Sequence, residues 1–399
     1  MNRAKMPSGF YIYYTIMFMG VACNSFFSLF FQDVGMTAAQ IGLLFGLAPL
    51  GGLLAQPMLG ALTDRSKYKN YVLYLIIACN FIVILWMRSV TALWLLSVLY
   101  LIFVSLNNCL IPVQDTITLD YVSANGGDYA PVRMSGTLGY VVMAVIVGPL
   151  ITGSVQTVLL IYLVLLALVL LAATRLPKVP GYRKKGQKHS ILGIIREREM
   201  LLILLCLFFL YINLSFDGTF TPPYVIRHGG TTTTVGLVMG MRALSEIPFF
   251  LPRGRAWIAK MGVNRMMPVC IVLQSLRWLA MAAWPHPAVF VAAALLHGLT
   301  IVVSSVSIVH YINDHVSREL KASGQMAMTL FSVVLARFVG NVAGGALVDL
   351  FGEFGLDGAR MVYFIMVPLA ALVLWVWGRP LLKIGRQREL EEMLPGKAP

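Results

Sequence analysis

The sequence predicts an all-α integral membrane protein whose twelve transmembrane helices form two six-helix bundles. Three observations carry this. Of 399 residues, 58% are hydrophobic and 12% charged, whereas a soluble domain carries roughly a quarter charged residues. The apolar residues come in blocks of about 20, the length that crosses a hydrocarbon core of about 30 Å. The basic residues gather in alternate connections between those blocks, as the positive-inside rule requires of a polytopic chain.

Charges, Gly and Pro bound apolar windows near 11–31, 41–62, 71–87, 92–121, 134–152 and 155–175. After a polar interval the windows resume near 200–223, 234–251, 266–284, 288–312, 325–349 and 360–378. The first window contains GVAC, Gly20 to Cys23, but it is too long for a signal core. Gly20 also stands where a lipoprotein site carries a large aliphatic residue, so this reads as an uncleaved first span. An even number of spans puts both termini on one side. That side holds twenty-four of the thirty-one Lys and Arg, against Arg88, Arg227 and Arg360 on the other. It is therefore the cytoplasmic face of the plasma (inner) membrane.

The domain reading follows: a bundle at 1–175, a cytoplasmic linker at 176–199, a second bundle at 200–378 and a cytoplasmic tail at 379–399. The linker carries Pro177, Pro180, Gly181 and the run YRKKGQKH. Met134, Ser135 and Gly136 recur as Ala322, Ser323 and Gly324, a weak internal repeat of the kind from which two-bundle membrane folds are built.

Composition excludes several functions. The net charge of +14 resides in loops, so no basic face of a soluble fold exists to bind nucleic acid. The five cysteines lie inside apolar runs and give neither a disulfide framework nor a zinc spacing. No phosphate-cradling loop, soluble nucleotide-binding domain, metal-spaced cluster or nucleophile and base pair occurs, so no ATP-driven pump, cofactor or enzyme is expected.

An ionisable residue at span depth costs from about 2.5 kcal/mol on insertion scales, so each is a functional candidate. Asp115 follows the helix-bending Pro112 and suits a site, the alternative being a packing pair with Arg133. Asp217 sits in a segment broken by Gly218, Pro222 and Pro223, or else on an outer loop. Arg242 and Glu246 are four residues apart and share a helix face, so Glu246 is either a proton carrier or a fixed partner of Arg242. Arg277 is flanked by Gln274 and Trp278, a cation beside an aromatic wall. His297 either couples protons or donates one hydrogen bond. Arg337 is a candidate to balance Asp217, and Asn24 adds a polar group facing a cavity or a neighbouring helix.

The connection after the second span reads GALTDRSKYKN, Gly60 to Asn70, with Asp64 at a helix end and Arg65, Lys67 and Lys69 after it. An acid with basic neighbours at a helix junction forms a charge network that can break between states. This loop resembles the G-x-L-x-D-R-x-G-R-K loop of the major facilitator superfamily, which implies a cytoplasmic gate at Gly60, Asp64, Arg65 and Lys69. A closer similarity, to the branch of lactose permease, the phenylpropionate permease and the nucleoside:proton symporters, runs through four segments. These are LLAQPMLGALTDR, DYAPVRMSGTLGY, MRALSEIPFF, and LRWLAMA with LLHGLT.

That resemblance implies substrate contact by Arg133 and places Arg277 and His297 in a proton-coupling network. The chain departs from lactose permease at Thr300, where the permease has a Glu, and at Ala130 and Pro131, so lactose itself is not expected as a substrate. The implied function is secondary active transport by alternating access in the lipid bilayer, the proton-coupled symport of one small polar or anionic organic solute: an aromatic acid, a nucleoside or a glycoside. Substrate would meet Arg133, Arg277, Asp115, Trp278 and Asn24. Glu246, His297, Asp217, Arg242 and Arg337 would serve proton coupling, in a monomer. A second reading is an efflux antiporter for apolar compounds, resting on the similarity of Ser135, Ala144, Gly148, Pro149, Thr152 and Gly153 to that superfamily's antiporter motif.

Overall fold

The structure, a computed structural model, describes residues 6–181, 198–304, 308–315 and 321–393. Among the described residues every regular element is a helix. Ten of the described helices are long and apolar enough to cross a membrane. Six come first: α1 (Ser8–Asp33), α2 (Ala38–Arg65), α3 (Lys69–Ser89), α4 (Leu93–Asn125), α5 (Tyr129–Leu150) and α6 (Thr157–Thr174). α7 (Arg198–Arg227) follows. α8 (Thr232–Phe250) and α9 (Pro252–Met261) form a pair bent by 70°. After α10 (Val263–Ala283) come the shorter apolar α11 (Pro287–Val302) and α12 (Ile308–His315), then α13 (Gly324–Glu353) and α14 (Gly358–Gln387). The fold class is as read. The count of twelve is consistent with these elements, with α8 and α11 occupying the windows of the eighth and tenth predicted spans.

Local chemistry sets several ends. Thr37 and Gln40 close a capping box at the start of α2, each side chain accepting the other's backbone N–H at 3.3 and 3.0 Å. Asp128 accepts the Ala130 N–H at 3.0 Å to start α5, and Asp357 accepts that of Arg360 at 3.2 Å to start α14. Two wide π turns, Leu330–Ala336 in α13 and Leu374–Gly378 in α14, interrupt the regular ladder.

The chain forms two compact units. One holds α1–α6 and Gly230–Gly240, the first turns of α8; the other holds α7, α8 from Met241, and α9–α14. In the first, α1 packs on α5 and α6, α2 on α4, and α3 on α4 and α6. Phe27, Phe31, Tyr100, Phe103 and Tyr162 form its aromatic core. In the second, α7 packs on α13, and α14 on both α10 and α13.

Lipid tails give helices no hydrophobic reason to associate, so close backbone approach matters. Gly139 of α5 lies directly against the Thr15 carbonyl of α1, and Gly136 against the Phe18 ring. Gly340 and Gly344 of α13 do the same against the Ile212 carbonyl and the Phe216 ring of α7. A Cβ at Gly60, by contrast, meets nothing within 4 Å. Gly139→Val is expected to destabilise the first unit by about 1–3 kcal/mol through overpacking. It should lower the temperature at which the monodisperse chromatographic peak is lost, whereas Gly60→Val should not.

Candidate functional site

The second unit encloses a charge cluster centred on Asp217 of α7, which is fully buried. Its Oδ1 accepts hydrogen bonds from Arg277 Nη2 at 2.8 Å, Thr221 Oγ1 at 2.7 Å and the Tyr363 hydroxyl at 3.1 Å. Its Oδ2 lies 2.7 Å from Arg242 Nη2 and 2.8 Å from Arg277 Nη2, charge contacts outside good hydrogen-bond alignment. Arg242 Nη2 also donates to Thr221 Oγ1 at 3.1 Å, and Tyr363 and Thr221 hydroxyls are 2.8 Å apart. Four helices, α7, α8, α10 and α14, thus converge on one carboxylate. Paired and bonded burial is what makes charge tolerable at this depth.

The cluster retains unused polar atoms. Arg277 Nε and Nη1, both amide atoms of Gln274 one turn earlier on α10, and Nδ1 of His297 on α11 are enclosed with no hydrogen-bond partner. His297 is within charge-interaction range of Asp217, Arg242 and Arg277. Buried polar atoms are rarely left without partners, so this set makes the cluster a candidate site. Gly298 of α11 sits against the Ser245 carbonyl and the Glu246 amide of α8, which brings His297 beside the turn that carries half-buried Glu246. Trp278 is fully buried and meets Phe209 edge-on, with ring centroids 6.3 Å apart.

The first unit holds a second polar cluster, built by α1, α4 and α5. The Tyr14 hydroxyl donates to Asp115 Oδ1 at 2.7 Å and lies 2.9 Å from Thr118 Oγ1, one turn closer to the end of α4. Tyr129 stands edge-on to Tyr14 at 6.4 Å. Phe18 stacks on Tyr14 at 6.3 Å, and the Arg133 guanidinium lies 4.2 Å from the Phe18 ring centroid. Carboxylate, phenol, benzene ring and guanidinium therefore form one strip. Asp115 and Arg133 are both half-buried, and no ion pair joins them among the described residues. Asn24 opens the 3₁₀ turn Asn24–Phe26 within α1, with its Oδ1 enclosed and unbonded.

At the predicted gate, buried Lys69 pairs with Asp120 of α4 at 2.5 Å. Gly60, Asp64, Lys69 and Asp120 border a cavity of about 300 Å³, while Arg65 points to the exposed side. The segment after α6 is laced onto this loop. Lys69 N–H donates to Val179 O at 2.9 Å, and Asn70 exchanges bonds of 3.1 and 3.0 Å with Pro177 O and Val179 N–H.

The structure brings Asp217, Arg242, Arg277 and His297 together. It differs from the expected Asp217 and Arg337 balance: the contacts on Asp217 come from Arg242 and Arg277, and Arg337 is exposed on α13. Charge type alone cannot say which helix supplies a partner. Within the stretch similar to the antiporter motif, the Gly148 carbonyl accepts from Thr232 Oγ1 at 2.7 Å and the Ala144 carbonyl abuts Gly236. Arg3, Lys5, Arg318 and most of the 176–199 linker lie outside the described residues, as do the side chains of Ala322 and Ser323. Thr221, Tyr363, Tyr14 and Thr118 were not singled out from the sequence. Thr221 was within reach, four residues after Asp217 on one helix face; Tyr363 and Tyr14 carry no local signal.

A profile of the MFS_1 like family matches residues 8–356. The chain belongs to this family, within the major facilitator superfamily. Among its relatives, the maltose permease of Geobacillus stearothermophilus is 26% identical over 371 residues, covering 90% of this chain and 91% of the permease. The probable 3-phenylpropionic acid transporter of Escherichia coli K12 is 23% identical over 359 residues, covering 82% and 90%. The solved structure of the nucleoside transporter NupG superposes with a TM-score of 0.82 at 16% identity, covering 94% of this chain and 98% of that one. The family is one of membrane transporters, and this member is a multi-pass membrane protein.

If Asp217 is the shared anchor of Arg242 and Arg277, Asp217→Asn removes the carboxylate that buried Arg277 contacts and is expected to cost about 3–5 kcal/mol. In double-mutant cycles read by thermal stability, Asp217 and Arg277 should couple by at least about 1 kcal/mol, and Asp217 and Arg337 by nothing measurable.

Proposed function

We propose that this transporter is a proton-coupled symporter for a small polar or anionic organic solute, foremost a glycoside or nucleoside. It would work as a monomer in the plasma (inner) membrane with both termini cytoplasmic. The observation that carries the reading is the strip in the first unit. Half-buried Tyr129, Asp115 and Arg133 offer a ring, an acceptor and a donor to a sugar or base, over a floor of buried Tyr14 and Phe18. The names carried by the maltose permease, the 3-phenylpropionic acid transporter and NupG span the same solute chemistry.

In this reading the bundles 1–175 and 200–378, joined by the linker 176–199, rock about the bound solute. Arg133, Asp115 and Asn24 recognise it from the first bundle. Arg277 and Trp278 serve recognition from the second, with the unused Arg277 donors meeting an electronegative group. Glu246 and Asp115 are the carboxyls that take up the proton. His297 and the Asp217, Arg242 and Arg277 cluster form the electrostatic surroundings that make protonation shift the equilibrium between states. Gly60, Asp64, Arg65 and Lys69 gate the cytoplasmic side, where separating Lys69 from Asp120 accompanies opening.

Proteoliposomes with an imposed pH gradient test this with labelled maltose, a nucleoside and 3-phenylpropionate. Accumulation of one solute is expected in the wild type, and at least about a tenfold loss in Glu246→Gln, the size of a typical coupling free energy. Arg133→Gln should raise the KM. Gradient-driven expulsion of apolar dyes with no uptake of the panel would overturn symport.

A further inference from the structure

The second unit carries a groove away from the charge cluster, between α10 and α14, with a volume of about 660 Å³. Its apolar wall comes from Val269 and Val272 of α10 and from Leu374 and Trp375 of α14. Arg265, Arg379 and Arg386 border the same groove. Arg265 opens α10, and Arg379 and Arg386 lie in the last turns of α14, so all three belong to one end of the two helices. That end is the one marked by the basic connections of the chain.

Two packing features shape the groove. At Gly378 an added Cβ would lie 3.3 Å from Leu374 Cδ2 of its own helix and only in ordinary contact, 3.7 Å, with Pro268 Cγ of α10. Gly385 is where the two helices come close, its Cβ position 3.0 Å from Asn264 Cβ of α10. The π turn Leu374–Gly378 widens α14 at this point, and Trp375 is 62% exposed beside it. The result is an apolar trough that ends in three arginines, with a tryptophan of the kind that settles at the membrane interface.

We infer that this groove binds an anionic phospholipid of the cytoplasmic leaflet, with its phosphate on Arg379, Arg386 and Arg265 and an acyl chain along Trp375, Leu374 and Val272. Charge complementarity selects the class. Basic pockets between transmembrane helices on the cytoplasmic side suit anionic headgroups, guanidinium groups bind phosphate oxygens in bidentate geometry, and a zwitterionic headgroup would set its own cation against the arginines. The apolar length of the trough selects a lipid over a free phosphate, which would leave those walls unused.

The test is quenching of tryptophan fluorescence in the full-length protein in detergent, titrated with phosphatidylglycerol or phosphatidylcholine brominated on the acyl chain. Phosphatidylglycerol is expected to quench at a mole fraction about thirtyfold lower than phosphatidylcholine, from the attraction of at least two surface cations. Trp375→Phe should remove the difference in signal. Arg379→Gln with Arg386→Gln should abolish the preference, while the same pair changed to Lys should keep most of it, because Lys still offers a point charge to phosphate. The Lys pair also carries the test if the Gln pair lowers thermal stability. Equal quenching by both lipids in the wild type, loss of preference in the Lys pair, or displacement of phosphatidylglycerol by excess inorganic phosphate would overturn the assignment.

Discussion

A carboxylate inside a membrane protein must be answered by other groups in the protein, and at Asp217 that demand organises the second unit. Two guanidinium groups, a hydroxyl and a phenol reach it from α7, α8, α10 and α14. Any rearrangement of one of these helices changes the company of the others' charges. Enclosed donors of Arg277 and Gln274 remain unbonded beside the carboxylate. Such a site is at once the electrostatic lock of its bundle and a place where an added proton or anionic group alters the balance.

The first unit solves a different problem. Its strip sets half-buried Asp115 and Arg133 against buried Tyr14 and Phe18, and Asp115 is bonded by a phenol rather than by the nearby arginine. An acid and a base kept apart by aromatic rings retain hydrogen-bonding capacity for a solute. Beneath it the glycines at 136 and 139 fix α5 against α1, so the rings that form the strip are held by backbone contact. In the proposed division of labour the first cluster leads recognition and the second leads charge coupling, while Asp115 also takes up a proton and Arg277 and Trp278 also meet the solute.

Much of this was legible in the sequence because bilayer thickness and charge sidedness act on every residue alike. The spans, their all-helical character and the superfamily loop at Gly60 to Asn70 follow from those constraints. Asp217, Arg242, Arg277 and His297 were also visible, since charge at span depth is rare enough to stand out. Their pairing was not. Asp217 and Arg277 are 60 residues apart, and nothing in either segment says that their helices face one another. The i,i+4 relation of Arg242 to Glu246 was a local fact that gave no sign of the reach of Arg242 to Asp217. Tyr14 and Tyr363 were invisible for the same reason, as aromatics among many in apolar runs whose role depends on a partner from another helix.

The division of labour is tested most directly by counterflow, the exchange of labelled for unlabelled solute across proteoliposomes with no pH gradient. Exchange needs recognition and reorientation of the loaded carrier but no net proton movement. The account predicts that Glu246→Gln retains exchange near the wild-type rate while Asp115→Asn and Arg133→Gln lose it. Retention in the first-unit variants together with loss in Glu246→Gln would contradict it.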